Sequence, residues 1–338
     1  MLKKLERLRL RIQNFRPLDE DLLQTVQEVL RIDWTYNSNA LEGNTLTYGE
    51  TAFFLREGLT SEGKPLKDYL EAKNHAEAID YLHEIVQGRR KLTEGLIKEL
   101  HALLLKDVEF TRAKGAGGQM VKKPLYPGKY KTRPNHVLTF AGKIHYYTDP
   151  LHVHDEMEKL LSWFHGYNRI HCVEKAAIFH YRFVAIHPFD DGNGRLARLL
   201  MNLILMKEGY FPCIIKNEYR KRYLESLAVA DEGLGYNDFV TFVAMELIET
   251  EEKILSLIEG KGNLRMDAGK QVLMNRDERQ ALIVSKLSGA SLSVSQILLK
   301  LPQIKRPTLK KDLQELVKNG KIKRKGVGKG AIYGDLYP

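Results

Sequence analysis

The sequence predicts a mainly α protein with one short β-hairpin and a C-terminal domain of winged-helix-like order. Three observations predict it. Apolar residues recur at three- and four-residue spacing through most of the chain, the period of a half-buried helix. Between about residues 111 and 150, glycine, proline and short alternating stretches replace that period. Beyond about residue 272 the order becomes helix, turn, helix and a basic, glycine-bearing hairpin.

The elements follow in order. Residues 1–35 read as helix, with Leu22, Val26, Val29 and Leu30 on one face. TYNSNALEGNTLT, residues 35–47, breaks it, and Gly43 and Asn44 mark a helix C-terminus. Periodicity resumes over 67–87 and 93–106. The next stretch reads as loops and a hairpin, VLTF and KIHYY flanking the turn Ala141-Gly142. Helix returns from about 152 to 258, and GKGNLRMDAGKQ, 260–271, reads as a linker. In the tail, residues 306–318 are the candidate recognition helix and Lys321 to Tyr333 the wing. The expected organisation is an N-terminal helical region over 1–110, a core over 111–258, a linker over 259–271 and a winged-helix-like domain over 272–338.

Composition narrows the function. The chain has 338 residues, 43% of them hydrophobic, enough for a sizeable core. Its longest apolar run, LLMNLILM at 199–206, is far short of a bilayer span, and MLKKLERLRLRIQ is amphipathic instead of signal-like. No membrane partner is expected, and the default location is cytoplasmic. Cys172 and Cys213 lack a CxxC partner and read as buried thiols. A net charge of +10 suits anionic partners such as nucleotides or nucleic acid.

The chemistry concentrates in HPFDDGNGRLAR, residues 187–198. From Arg195 onward, Leu196, Leu199, Leu200, Leu203 and Ile204 form one helical stripe, while Arg195 and Arg198 fall on another face. Gly192 and Gly194 therefore lie where a loop enters a helix, and free amides at that end favour an anion. Two arginines one turn in can fork onto phosphate oxygens. Either Asp190 or Asp191 could hold magnesium beside bound phosphates. His187 would titrate near neutrality and could take a proton from a hydroxyl.

HPFDDGNGRLAR resembles the Fic family signature HPFx(D/E)GNGRxxR at every specified position, and the resemblance extends over roughly residues 30–250. It implies a Fic-type helical core and transfer of AMP from ATP to a hydroxyl side chain of a target protein. By position, His187 is implied as the base and Asp191 as the Mg2+ ligand, while Asp190 takes no role. Gly192, Asn193 and Gly194 are implied to line the phosphate loop, with Arg195 and Arg198 holding the triphosphate. Gly194 also argues against the family's phosphotransferase branch, which tends to carry lysine there. Asn217 and Tyr223, after the motif helix, are the candidate adenine contacts. NHVLTFAGKIHYY, 135–147, looks like the flap that pairs with an extended target segment.

SNALEG, residues 38–43, looks like the family's inhibitory motif (S/T)xxxE(G/N), placing Ser38 and Glu42 on one helical face. The resemblance implies that Glu42 reaches Arg198 and keeps the γ-phosphate from seating, so that ATP binds in a poor pose. Self-modification and removal of AMP are further activities that it allows. The alternatives are a nucleotide-sensing DNA-binding regulator without turnover, or transfer of another group such as UMP or phosphocholine. The candidate partners are a hydroxyl-bearing target protein at the flap, DNA at the C-terminal domain, and a second copy of the chain as a homodimer.

Overall fold

The computed structural model describes residues 1–114, 119–138, 144–167, 169–259, 276–288, 290–301, 304, 306–326, 328 and 331–334. The turn Ala141-Gly142 and the expected linker at 260–271 lie outside the described residues.

The first stretch forms two helices, α1 (Leu2–Gln13) and α2 (Glu20–Ala40), where apolar periodicity alone predicts one. Pro17 lacks an amide to continue a helix, and the Asp19 carboxylate accepts the Leu22 amide at 3.2 Å, so a new helix starts there. Glu20 and Asp21 then stand at its positive end. Past Gly43, α3 (Tyr48–Glu57) opens on a Thr47–Glu50 capping box and ends at Gly58, whose φ of +68° a side chain would resist. Next come α4 (Leu66–Gln87) and α5 (Glu94–Leu104), the second capped by Thr93. Two antiparallel pairs follow. β1 (Phe110–Lys114) pairs β2 (Met120–Pro124) from Phe110↔Pro124 to Lys114↔Met120. β3 (His136–Leu138) pairs β4 (Ile144–Tyr146) from His136↔Tyr146 to Leu138↔Ile144. Then come α6 (Val153–Gly166), α7 (Cys172–Ile186), α8 (Asn193–Lys207), α9 (Arg220–Asp231) and α10 (Asn237–Ile258). The tail adds α11 (Arg276–Leu287), β5 (Leu292–Ser293), α12 (Val294–Lys300), α13 (Arg306–Lys318), β6 (Lys323–Lys325) and β7 (Ile332–Gly334). The protein is mainly α with small strands.

The chain divides into two compact units, the first comprising residues 1–45 and 65–255. Its centre is the α7–α8 helical hairpin, against which α2, α4 and α5 pack around α8. Leu196, Leu199, Leu200 and Leu203 are fully buried, and so are residues on the other faces of α8, including Ala197, Met201 and Leu205. A helix enclosed on all sides is a rigid mount for whatever its N-terminus presents. Truncating one of these leucines to alanine costs about 2–5 kcal/mol.

The second unit comprises residues 46–64 and 256–338. Within it, Phe53 of α3 packs against a core of Ile283, Leu287, Ile297, Leu309, Leu313 and Ile322. Its sheet is antiparallel in the order β5-β7-β6. Arg306 binds Glu57 at 2.8 Å, and buried Asp312 takes two bonds from Arg279, at 2.5 and 3.1 Å.

Candidate active site

The site forms on the loop between α7 and α8. His187 ends α7 in the left-handed region, φ +51°, with its amide still bonded to the Phe183 carbonyl at 3.0 Å. Gly192, φ +77°, turns the chain into α8. Between them, buried Phe189 is braced by Asn193, whose side-chain amide accepts the Phe189 N–H at 3.0 Å and donates to its carbonyl at 2.8 Å. Phe189 also stacks on His101, centroids 3.7 Å apart. Burial pushes His101 down to about 4, so its ring is neutral. Its Nδ1 accepts the Gly128 amide at 2.8 Å, which leaves Nε2–H to donate to the Asp191 carbonyl at 3.0 Å. The loop is thus fixed from inside before any ligand binds.

The expected site residues gather on this frame with definite partners. His187 is pushed down to about 4 by burial and then by the positive charge of Lys131, against the opposing Val184 carbonyl, Glu42 and Asp191. At neutral pH its imidazole is a free base. Tyr147 stacks on the ring with centroids 3.8 Å apart and planes 17° from parallel. The Asp191 Oδ1 accepts the Gly192 amide at 2.6 Å and faces Arg195 at 3.7 Å. Burial would raise this carboxyl, but Arg195, Thr111 and the Gly192 amide hold it below its ordinary value. Asp190 turns elsewhere and is neutralised by Lys123 at 2.5 Å.

Each motif arginine has its own carboxylate. Arg195, 2% exposed, stands 3.1 Å from Glu71. Arg198, also 2% exposed, donates from Nε to Ser38 Oγ at 3.0 Å, and from Nη2 to both the Ser38 carbonyl and Glu42 Oε1, each at 2.8 Å. Ser38 belongs to α2, whereas Glu42 lies in the turn just past its end, its amide bonded to the Asn39 carbonyl at 3.0 Å. Asn44 donates to Glu71 and Thr45 to Asp68, tying this turn to α4. A Cβ built on Gly194 would stand 2.3 Å from Glu42 Oε1 and 3.2 Å from Arg198. The Glu42 carboxylate therefore lies directly over the first turn of α8.

Asn217 begins a short 3-10 turn, its amide bonded to Asn37 at 2.9 Å. Tyr223 of α9 is 4% exposed, its ring among Phe239, Phe242 and His180. Burial pushes His180 down to about 3, so the neutral ring accepts the Tyr223 hydroxyl, 3.1 Å from Nε2. Sequence reasoning did not find Glu71, His101 or Lys131, and it placed Tyr147 only as the end of the candidate flap, not as a partner of His187. Each acts through a partner far away in sequence.

Comparison with known proteins gives the family. The Fic/DOC family profile matches residues 91–205. A Fic domain containing signaling protein of Bacteroides thetaiotaomicron superimposes with a TM-score of 0.69 at 32% identity, over 77% of this chain and 98% of that one. The chain belongs to the Fic family. Two curated relatives are similar over part of their length. "Protein adenylyltransferase fic-1" of Caenorhabditis briggsae is 32% identical over 62% of this chain and 38% of that protein. "Protein adenylyltransferase Fic" of Drosophila grimshawi is 33% identical over 66% of this chain and 41% of that protein. The chain thus spans about four-tenths of the curated relatives it matches. Among the described residues, no helix is long and apolar enough to cross a membrane.

Proposed function

We propose that the chain is an autoinhibited protein adenylyltransferase that moves AMP from ATP onto a hydroxyl side chain, Ser, Thr or Tyr, of a target protein. The observation that carries the reading is the arrangement of a neutral His187, the amides opening α8, and two buried arginines of which Arg198 is held by Glu42 at 2.8 Å. The curated relatives bear the name protein adenylyltransferase, which supports the same reaction here. A target hydroxyl gives its proton to the His187 imidazole while its oxygen bonds to the α-phosphorus of ATP. The bond from that phosphorus to the bridging oxygen breaks, and pyrophosphate leaves. Arg195, Arg198 and the amides of Asn193 and Gly194 would face the charge that builds on the phosphates. An ionised Asp191 beside those amides fits a hard divalent cation, which needs only one or two protein carboxylates. Mg2+ held there would neutralise phosphate charge. The β3–β4 pair is the candidate flap for the target segment.

Glu42 is the proposed restraint. Its carboxylate occupies Arg198 and overlies Gly194, so a γ-phosphate has to displace it to reach that arginine. Incubation of the Glu42→Gly chain with labelled ATP and a lysate tests the whole reading. Covalent label is expected on protein; ATP binding without label would favour the nucleotide-sensing reading, and label from another donor alone would favour a different transferred group.

A second activity is proposed for the C-terminal unit, where the exposed face of α13 carries Lys310, Lys311, Gln314 and Lys318 and exposed β6 is Lys323-Arg324-Lys325. A basic helix followed in sequence by a basic strand suits duplex DNA. Binding by the full chain should fall steeply with salt as phosphate contacts release counterions. Absence of binding at low salt would remove this activity.

A further inference from the structure

We propose that Lys131 is the positioning residue for His187, gripping the main chain on both sides of it and fixing the ring where a target hydroxyl has to meet it. The inference rests on reading His187 as the base. Lys131 is 3% exposed, an unusual place for a lysine. Among the described residues its ammonium pairs with no carboxylate. Instead it donates to Asn135 Oδ1 at 2.7 Å and to the Ile186 carbonyl at 3.5 Å, while its own amide donates to the Pro188 carbonyl at 2.9 Å. Asn135 continues the series by donating to the Phe189 carbonyl at 3.2 Å. The carbonyls of residues 186, 188 and 189 are therefore all held by two side chains and one amide from the segment before β3.

That grip has a purpose in the backbone. His187 sits at φ +51°, a region that a residue with a Cβ occupies at a cost and keeps only where its neighbours enforce it. The bonds from Lys131 land on the residues immediately before and after it. Burying an ammonium among carbonyls is itself costly, and burial pushes Lys131 down to about 8. A hydrophobic residue would fill the space without that cost, but it could not hold the Ile186 carbonyl. The Lys131 ammonium also lies 5.9 Å from the Tyr147 centroid, on the ring that stacks against His187. The charged groups facing His187 are Lys131 from the segment before β3, Glu42 from the turn after α2 and Asp191 from its own loop. Lys131 is the cation of the three, so it disfavours the imidazolium while the two carboxylates favour it.

The test uses the full chain in a Glu42→Gly background, with two readouts. Steady-state incorporation of labelled AMP gives kcat and KM for ATP, and NMR of isotope-labelled histidine follows the His187 titration without any turnover. Lys131→Met keeps the aliphatic stem and removes the ammonium. It should lower kcat roughly 10²-fold, the scale of a 1 Å misplacement, with KM for ATP within about twofold. The His187 midpoint should rise, because the opposing cation has gone. Lys131→Arg should recover most of the lost kcat. A Lys131→Met chain with kcat within about twofold of its parent, or an unmoved His187 midpoint, would overturn the proposal. If the Glu42→Gly chain transfers no AMP while the midpoint still moves on Lys131→Met, the adenylyltransferase reading fails and the positioning role stands.

Discussion

Replacing Glu42 by alanine should activate the protein, and the size of the gain follows from the bonds at Arg198. Its guanidinium bonds Ser38 twice and Glu42 once. The Ser38 pair keeps the side chain aimed when Glu42 is removed, so the variant loses the restraint and retains the binder. A charge-assisted hydrogen bond contributes about 1.5–3 kcal/mol. The Glu42 side chain is 41% exposed, and solvent screening brings the figure to the lower end, about 1.5 kcal/mol. A γ-phosphate no longer competing with that bond gains roughly tenfold, so kcat/KM for AMP transfer should rise at least about tenfold. Glu42→Gly should give a similar gain. Glu42 lies past the last residue of α2, so glycine there melts no helical turn. Adding Arg198→Ala should cancel the gain of either variant, because the two residues share one contact. Incorporation of labelled AMP across an ATP series from below to above KM measures kcat/KM for each chain. No gain in either single variant, or a gain that survives the loss of Arg198, would refute restraint through this pair.

Other outcomes follow from the same geometry. His187→Ala should reduce transfer roughly 10²–10⁴-fold with nearly unchanged ATP binding by calorimetry, since the phosphate-facing groups are untouched. Asp191→Ala should abolish the magnesium dependence of transfer, whereas Asp190→Ala, which loses only the Lys123 pair, should be mild; equal losses would reverse the assignment of the metal ligand. Stability should fall with acid. His101 titrates at about 4 folded against about 6.5 unfolded, so the unfolded chain takes up the proton first. Stability is full above about pH 6.5 and falls by about 3 kcal/mol as pH drops to about 4. Thermal melts of His101→Gln across this window should show a shallower decline; an unchanged slope would locate the effect elsewhere.

The loop and α8 were legible in the sequence because their chemistry is contiguous. A histidine, an acid, two glycines and two arginines within twelve positions need no tertiary information to be read together. The contact of Glu42 with Arg198 was legible only through resemblance, since nothing local joins residues 42 and 198. Periodicity ran α1 and α2 together because it counts apolar spacing and overlooks the break at Pro17 and the cap at Asp19. The helix α3 escaped notice because the core that Phe53 joins is built from residues beyond 280. The β1–β2 pair escaped because FTRAK and MVKKP do not alternate apolar with polar residues. The candidate base is the clearest division. His187 stands in a motif, while Lys131, which holds it, stands in a stretch readable only as loop.

Gly194 joins the two motifs more tightly than either does alone. Glycine at a helix start is ordinarily explained by the close approach of a phosphate, and on the proposed reading that explanation holds. It is incomplete, because a side chain there would meet Glu42 before it met any ligand, with Cβ only 2.3 Å from the carboxylate oxygen. A side chain at 194 therefore requires the Glu42 carboxylate to shift from its present place. Even alanine has to push Glu42 away from Arg198, and a longer residue would fill the space that the carboxylate now occupies. The same absence of atoms that admits the phosphates admits the group proposed to restrain them. In a chain of this design, residues 42 and 194 are constrained together although 152 positions separate them, and a change at either alone alters the state of Arg198.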